Sequence, residues 1–207
     1  MMLACRLNFS MTNFLERINF HFNQNIEVQH LALETLPLLI NEAAAMMAHS
    51  LLSDGKILSC GNGHGVHDAG YLSTLLLNRY LRERPSLPCV ALNSDAAALT
   101  VVSHDFGINE IYAKQIRAIG QDGDILFAVS EDGNGGNIIQ AIQAAHDREM
   151  SVIMLTGRDG GDSASLLTQE DVEIRVPGET LTHTRELHRV IIHSLCDLID
   201  TTIFGEE

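Results

Sequence analysis

Lys56-Ile57-Leu58-Ser59-Cys60 is a short apolar run that opens directly into Gly61-Asn62-Gly63-His64-Gly65, and helical patterning resumes at residue 66 and continues to about residue 81. A short strand, a glycine loop and a helix in that order make one β-α unit. The order recurs downstream. Residues 124–130 (DILFAVS) form an apolar strand, 131–136 (EDGNGG) a glycine-bearing loop and 137–148 a helix. Further strands are expected at 88–92, 151–156 and 172–176, and further helices at 96–103, 108–119 and 184–204, with a turn at 157–161. Five short strands alternating with longer helices predict an α/β domain. Its core is a five-stranded parallel sheet between helical layers, a three-layer sandwich.

Upstream, apolar residues recur at helical spacing from 14 to 22 and then at Ile26, Leu31, Leu36, Leu39, Ile40, Ala43, Met47 and Leu51. That period predicts an N-terminal helical region. Pro37 should bend or divide it, since proline lacks the amide the helix needs. Residues 1–10 read as an N-terminal extension of uncertain order, and 11–207 as one domain without repeats or linkers.

The chain has 207 residues, within the range of a single domain, and its 45% hydrophobic content excludes disorder. Lys plus Arg number 13 against 27 Asp plus Glu, a net charge of −14. Duplex binding needs clustered Lys and Arg, so direct nucleic-acid contact is not expected, and an anionic membrane is disfavoured for the same reason. No apolar run is long enough to span a bilayer, and MMLACRLNFS is too short for a signal-peptide core. Cys5, Cys60, Cys89 and Cys196 form no C-x-x-C, so a reduced, cytoplasmic protein with small buried thiols is expected. No cofactor is expected.

Ligands of open parallel sheets bind beyond the carboxyl ends of the strands. The loops at 61–65 and 131–136 both stand there, and a glycine-rich loop opening a helix suits an anion. Neither G-x-x-x-x-G-K nor G-x-G-x-x-G is present, because position 66 is Val. His183, His188 and His193 are spaced five apart, ~140° around a helix, and cannot converge on one ligand. His193 shares a face with Arg189 and Glu186, which predicts a salt-linked histidine. His64 and His67 sit where a ligand would lie, as anion or metal contacts or as plain polar residues of an exposed loop.

The loop GNGHG, then N-R-Y, E-R-P-S-L-P, an S-x-x-G-N segment and L-T-G-R-D-G-G together resemble the sugar isomerase (SIS) domain family. The likeness runs from Met11 onward. It is closest to the phosphoheptose isomerase branch and to the DiaA-like group of DnaA initiator-associating proteins related to it. The resemblance implies a flavodoxin-like fold. In the isomerase branch the two loops read G-N-G-G-S and S-T-S-G-N-S, and their hydroxyls hold the sugar phosphate. The matching residues here are Asn62, Gly63, His64 and Gly65, then Ser130, Glu131, Asp132, Asn134 and Gly135, which implies a degenerate ligand pocket. Each lost hydroxyl forfeits a bond worth ~1.5–3 kcal/mol. Each carboxylate near a phosphate adds repulsion of roughly 1–4 kcal/mol.

The resemblance places the isomerase base at Leu75, which cannot accept a proton, and the histidine acid at His193, which would be vestigial. Zinc ligands of some isomerases match Tyr71, Leu75, Arg185 and His193, a set that argues against a metal. At the C-terminus, Ile203 and Phe204 stand where relatives imply a partner contact. These readings give the expectation of a non-catalytic, homotetrameric scaffold that binds a DnaA-like initiator and promotes its assembly at the origin. Two alternatives stand beside it. One is an isomerase of sedoheptulose 7-phosphate with its base relocated to Glu131, Asp132 or Asp68 and His193 as acid. The other is a small-molecule sensor.

Overall fold

The computed structural model describes residues 11–178 and 180–206, and side chains from residue 14. The expected extension at 1–10, with Cys5, lies outside the described residues. Two helices lead, α1 (Met11–Thr35) and α2 (Pro37–Leu52), which meet at 66°. The division falls at Pro37, as its missing amide requires. Then follow β1 (Ile57–Gly61), α3 (Gly65–Leu77), β2 (Cys89–Ala91), α4 (Ala96–Phe106), a 3-10 turn (Ile108–Glu110), α5 (Ala113–Ile119), β3 (Ile125–Val129) and α6 (Gly136–His146). The chain ends with β4 (Ser151–Gly157), α7 (Gly161–Ala164), β5 (Val172–Val176) and α8 (Leu181–Phe204).

The strands form one parallel sheet in the order β2-β1-β3-β4-β5, the flavodoxin-like arrangement. β1 and β3 are buried along their whole length, which is why they read as unbroken apolar runs. β5 closes one edge and alternates buried with half-buried residues. The sheet separates two apolar clusters. Phe127 and Val129 face Met47, Leu72, Ile191 and Leu195, while Leu126 and Ala128 face Ile116, Ile138 and Ile142.

Most boundaries fall within a few residues of the sequence reading, and three differences have a visible physical cause. The helix expected at 108–119 breaks after Glu110, and buried Tyr112 donates its phenol to the Gly61 carbonyl at 2.6 Å. A short helix, α7, starts at two left-handed glycines, Gly160 as its cap and Gly161 as its first residue, where only a turn is expected. The helix expected to reach 81 stops at Leu77. The Arg84 guanidinium takes the Leu75 and Leu76 carbonyls at 2.9 and 2.7 Å, satisfying acceptors that the missing turn leaves open.

Arg84 also bonds the Asp200 carboxylate at 2.8 Å, with both side chains almost wholly buried. The second Asp200 oxygen has no hydrogen-bond partner among the described residues. Removing the cation would strand a buried charge, so Arg84→Ala should cost about 3–5 kcal/mol in urea unfolding. A loss under about 1 kcal/mol would show that the pair is not structurally important.

Cys60, Cys89 and Cys196 are free and buried, as expected. Burial pushes the Cys89 and Cys196 thiols up to about 12 and Cys60 further still. Thiolates are the reactive form, so these three should resist iodoacetamide at pH 8 in the folded protein and label once it is unfolded, as peptide mapping would read. Among the described residues no single helix is long and apolar enough to cross a membrane.

Candidate functional site

Both glycine loops leave the sheet at the carboxyl ends of β1 and β3. The first turns at Gly63, whose φ is +53°, and enters α3 at Gly65. The second starts at buried Ser130, whose hydroxyl accepts the Gly133 amide at 3.1 Å. Between them lies a cleft of about 200 Å³ lined by Asn62, Gly63, His64, Ser130, Glu131, Asp132 and Gly135, with Leu181 and Arg185 from α8. Seven of the nine pocket residues expected from the sequence therefore converge.

The other two do not line the cleft. Asn134 turns toward α7, where its side-chain oxygen accepts the Asp162 amide at 3.1 Å. Gly65 is buried, and a Cβ there would stand 2.8 Å from the Val129 carbonyl oxygen. Gly135 is closed in similarly: a Cβ would run into the Asn62 side-chain nitrogen and come within 3.2 Å of the Asn137 oxygen. Asn62 and Asn137 hold each other through two amide hydrogen bonds, at 2.6 and 2.7 Å, and so join the first loop to α6. The hydroxyls absent at 65 and 135 thus correspond to space filled by backbone and by this amide pair.

Arg185 grips the Glu131 carboxylate with both edges of a fork, Nε to Oε1 at 2.6 Å and Nη2 to Oε2 at 2.8 Å. Its hydrogen bonds to Glu131 hold the guanidinium pKa above its ordinary value. The repulsion expected of a bare Glu131 is therefore largely cancelled, because a bidentate cation already neutralises it. Sequence reasoning treated Arg185 only as a failed metal position. The two residues are 54 apart, so no local pattern linked them. Asp132 accepts the Asn134 amide at 3.2 Å and has no ion pair among the described residues.

Among the described residues His193 has no ion pair, contrary to the expected salt link. Its Nε2 lies 2.8 Å from the Tyr71 hydroxyl, and its ring stacks on Tyr80 at 5.6 Å between centroids. Its expected partners are engaged elsewhere. Arg189 lies 4.1 Å over the Tyr71 ring and bonds the buried Asp68 carboxylate at 2.9 Å, and Glu186 accepts from the Asn25 side chain. Leu75 packs against the apolar core. A phenol bonded to an imidazole, an aliphatic chain and an ion-paired guanidinium do not fit a zinc ion, which takes deprotonated Cys, neutral His or carboxylate ligands. Asp68, His193 and Leu75 stand outside the cleft lining.

His64 lines the cleft, and the exposed His67 ring is 6.3 Å from it. Ile203 packs on the core. Phe204 is 37% exposed beneath the Arg82 guanidinium, which bonds the Gly205 carbonyl at 2.8 Å. The terminal apolar pair is thus partly built into the fold.

The SIS domain family model matches residues 21–157. The chain is 54% identical over 193 residues to a phosphoheptose isomerase of Chromohalobacter salexigens, covering 93% of this chain and 98% of that one. A phosphoheptose isomerase of a Shewanella species is 49% identical with the same coverage. Among solved structures, a phosphoheptose isomerase of Francisella tularensis superposes with a TM-score of 0.88 at 40% identity, covering 90% of this chain and 98% of that one. One from Neisseria gonorrhoeae gives 0.86 at 39% identity, covering 91% and 99%. These relatives overturn the expectation of a non-catalytic initiator scaffold and favour the isomerase alternative. The expectation leaned on an unneutralised acidic cleft, and the Arg185–Glu131 pair removes much of that premise.

Restoring a serine at 135 should not restore a simple hydroxyl. Gly135→Ser must displace the Asn62–Asn137 pair, at a cost of about 1–3 kcal/mol. Thermal unfolding measures this, and an unchanged midpoint would mean that the loops yield freely.

Proposed function

The chain belongs to the SIS domain family, and from that premise we propose that it binds a phosphorylated sugar in the two-loop cleft and interconverts its ketose and aldose forms. The carrying observation is the convergence on one cleft of two loops that open helices, a neutralised Glu131 and a carboxylate without a cation, Asp132. The amino ends of α3 and α6 supply amides and positive dipole ends for the phosphate. Asp132 takes the proton from the carbon beside the carbonyl, giving an enediol, and returns it to the neighbouring carbon. One hydroxyl proton moves between the two oxygens, and no oxidant or metal is consumed. The high-identity relatives named phosphoheptose isomerase support a seven-carbon substrate such as sedoheptulose 7-phosphate.

A cytoplasmic setting and a homotetramer belong to the same reading. Free buried thiols support the first. The second draws on an apolar groove of about 580 Å³ between α1, α2 and α8, lined by Ile26, Leu33, Leu36, Leu187, Val190 and Leu198. α1 continues that apolar surface through Ile18 and Phe22, both more than half exposed, which a second copy of the chain would cover.

Incubation with sedoheptulose 7-phosphate in deuterium oxide tests the reaction. Aldose formation with deuterium entering carbon is expected, reduced at least ~100-fold in Asp132→Asn. Binding without exchange would overturn the isomerase and leave a sugar-phosphate sensor. That second reading is favoured by one observation, the aliphatic Leu75 packed into the core beside a Tyr71–His193 pair already bonded to itself.

A further inference from the structure

We infer that Arg185 selects a phosphorylated over an unphosphorylated ligand in this cleft, with Glu131 as the residue that positions its guanidinium. The inference rests on the sugar-phosphate reading of the cleft, though not on turnover. Among the residues lining the cleft, Arg185 is the one Lys or Arg side chain. Ser130 carries the one hydroxyl, and it is buried and already accepts the Gly133 amide. Gly65 and Gly135 offer no hydroxyl, and neither has room for a side chain. The phosphate donors are then the backbone amides, the His64 ring and this guanidinium, which carries the one permanent positive side-chain charge of the lining.

The geometry leaves Arg185 able to do this. Of its five N–H groups, Glu131 takes one on Nε and one on Nη2. Three remain, including both on Nη1. The Arg185 side chain is 34% exposed and that of Glu131 13%, so the carboxylate sits behind and the cation faces the open space. A planar fork clamped at one edge loses little further freedom on taking an anion at the other, whereas an unclamped arginine would have to be ordered by the ligand. The clamp also makes Glu131 and Arg185 a neutral unit, so an incoming phosphate meets only the charge of Asp132 in the same loop. Removing the arginine has two consequences at once: a donor is lost, and Glu131 becomes an uncompensated anion in the cleft.

Titration calorimetry with inorganic phosphate, sedoheptulose 7-phosphate and unphosphorylated sedoheptulose tests the assignment in wild type, Arg185→Gln, Arg185→Lys and the double variant Glu131→Gln/Arg185→Gln. Arg185→Gln should weaken the phosphate ester at least ~10-fold, the scale of one charged hydrogen bond, and leave the unphosphorylated sugar within about threefold. Arg185→Lys should fall between, keeping charge without the fork. The double variant should bind the ester better than Arg185→Gln alone, because the bare carboxylate has gone. A merely structural role would weaken both sugars equally and lower the melting temperature. An unchanged preference for the ester in Arg185→Gln, or no recovery in the double variant, overturns the inference. Ester binding that depends on Arg185 without deuterium exchange upholds it while the isomerase reading falls. No binding of phosphate or its ester by wild type ends both.

Discussion

β1 and β3 run side by side in register, from Ile57 beside Ile125 to Gly61 beside Val129, while their onward connections lead to opposite edges of the sheet. A parallel sheet cannot place two such strands together without opening a crevice past their carboxyl ends. Everything chemically distinctive about the chain follows from that constraint. It sets residues 61–65 against residues 130–136, and it brings the amino ends of α3 and α6 to the same opening. Tyr112 locks the arrangement from beneath through the Gly61 carbonyl, and the Asn62–Asn137 amides lock it from above. The cleft is therefore a rigid product of strand order, with side chains filling what the backbone has already shaped.

Within that frame the decisive matter is charge compensation. A protein with a net charge of −14 that places Glu131 and Asp132 in an anion cradle would defeat the cradle unless one charge were cancelled. A single exposed ion pair contributes little to stability. Its importance here is local, because the fork converts a repulsive wall into a neutral one with spare donors. The same logic appears in the body of the fold, where Arg84 is held by Asp200 and also closes the end of α3. In both places an arginine from one segment completes something that a distant segment leaves open.

Much of this was legible in the sequence. DILFAVS reads as a strand buried on both faces because it is one, and Pro37 divides the leading helices because no backbone can avoid its missing amide. The two loops follow from placing glycines after strands, and the family resemblance supplies the nine expected cleft residues, of which seven line it. The losses have a common cause. The break after Glu110 depends on Tyr112 reaching Gly61, the early end of α3 depends on Arg84, and Arg185 matters only because α8 carries it back over the second loop. None of these has a local signature. Part of the functional expectation fails for the same reason: in the sequence Glu131 and Asp132 are bare charges, since the cation that neutralises one of them lies 54 residues away.

The residues around His193 carry the argument a step further. In this chain Tyr71 and His193 satisfy each other, Tyr80 covers the imidazole, and Arg189 joins Tyr71 to Asp68. An imidazole already paired with a phenol of α3 is poorly disposed to give a proton to a ligand in a cleft it does not line. The proposed proton transfer is then confined to groups of the cleft itself, and there Asp132 is the carboxylate that no cation neutralises among the described residues. On the proposed reading, binding and chemistry fall to adjacent residues of one loop, Glu131 fixing the arginine that would meet the phosphate and Asp132 standing as the base. That reading puts the weight on the second loop rather than on α3, because Glu131 and Asp132 both line the cleft whereas Tyr71 and Leu75 of α3 do not.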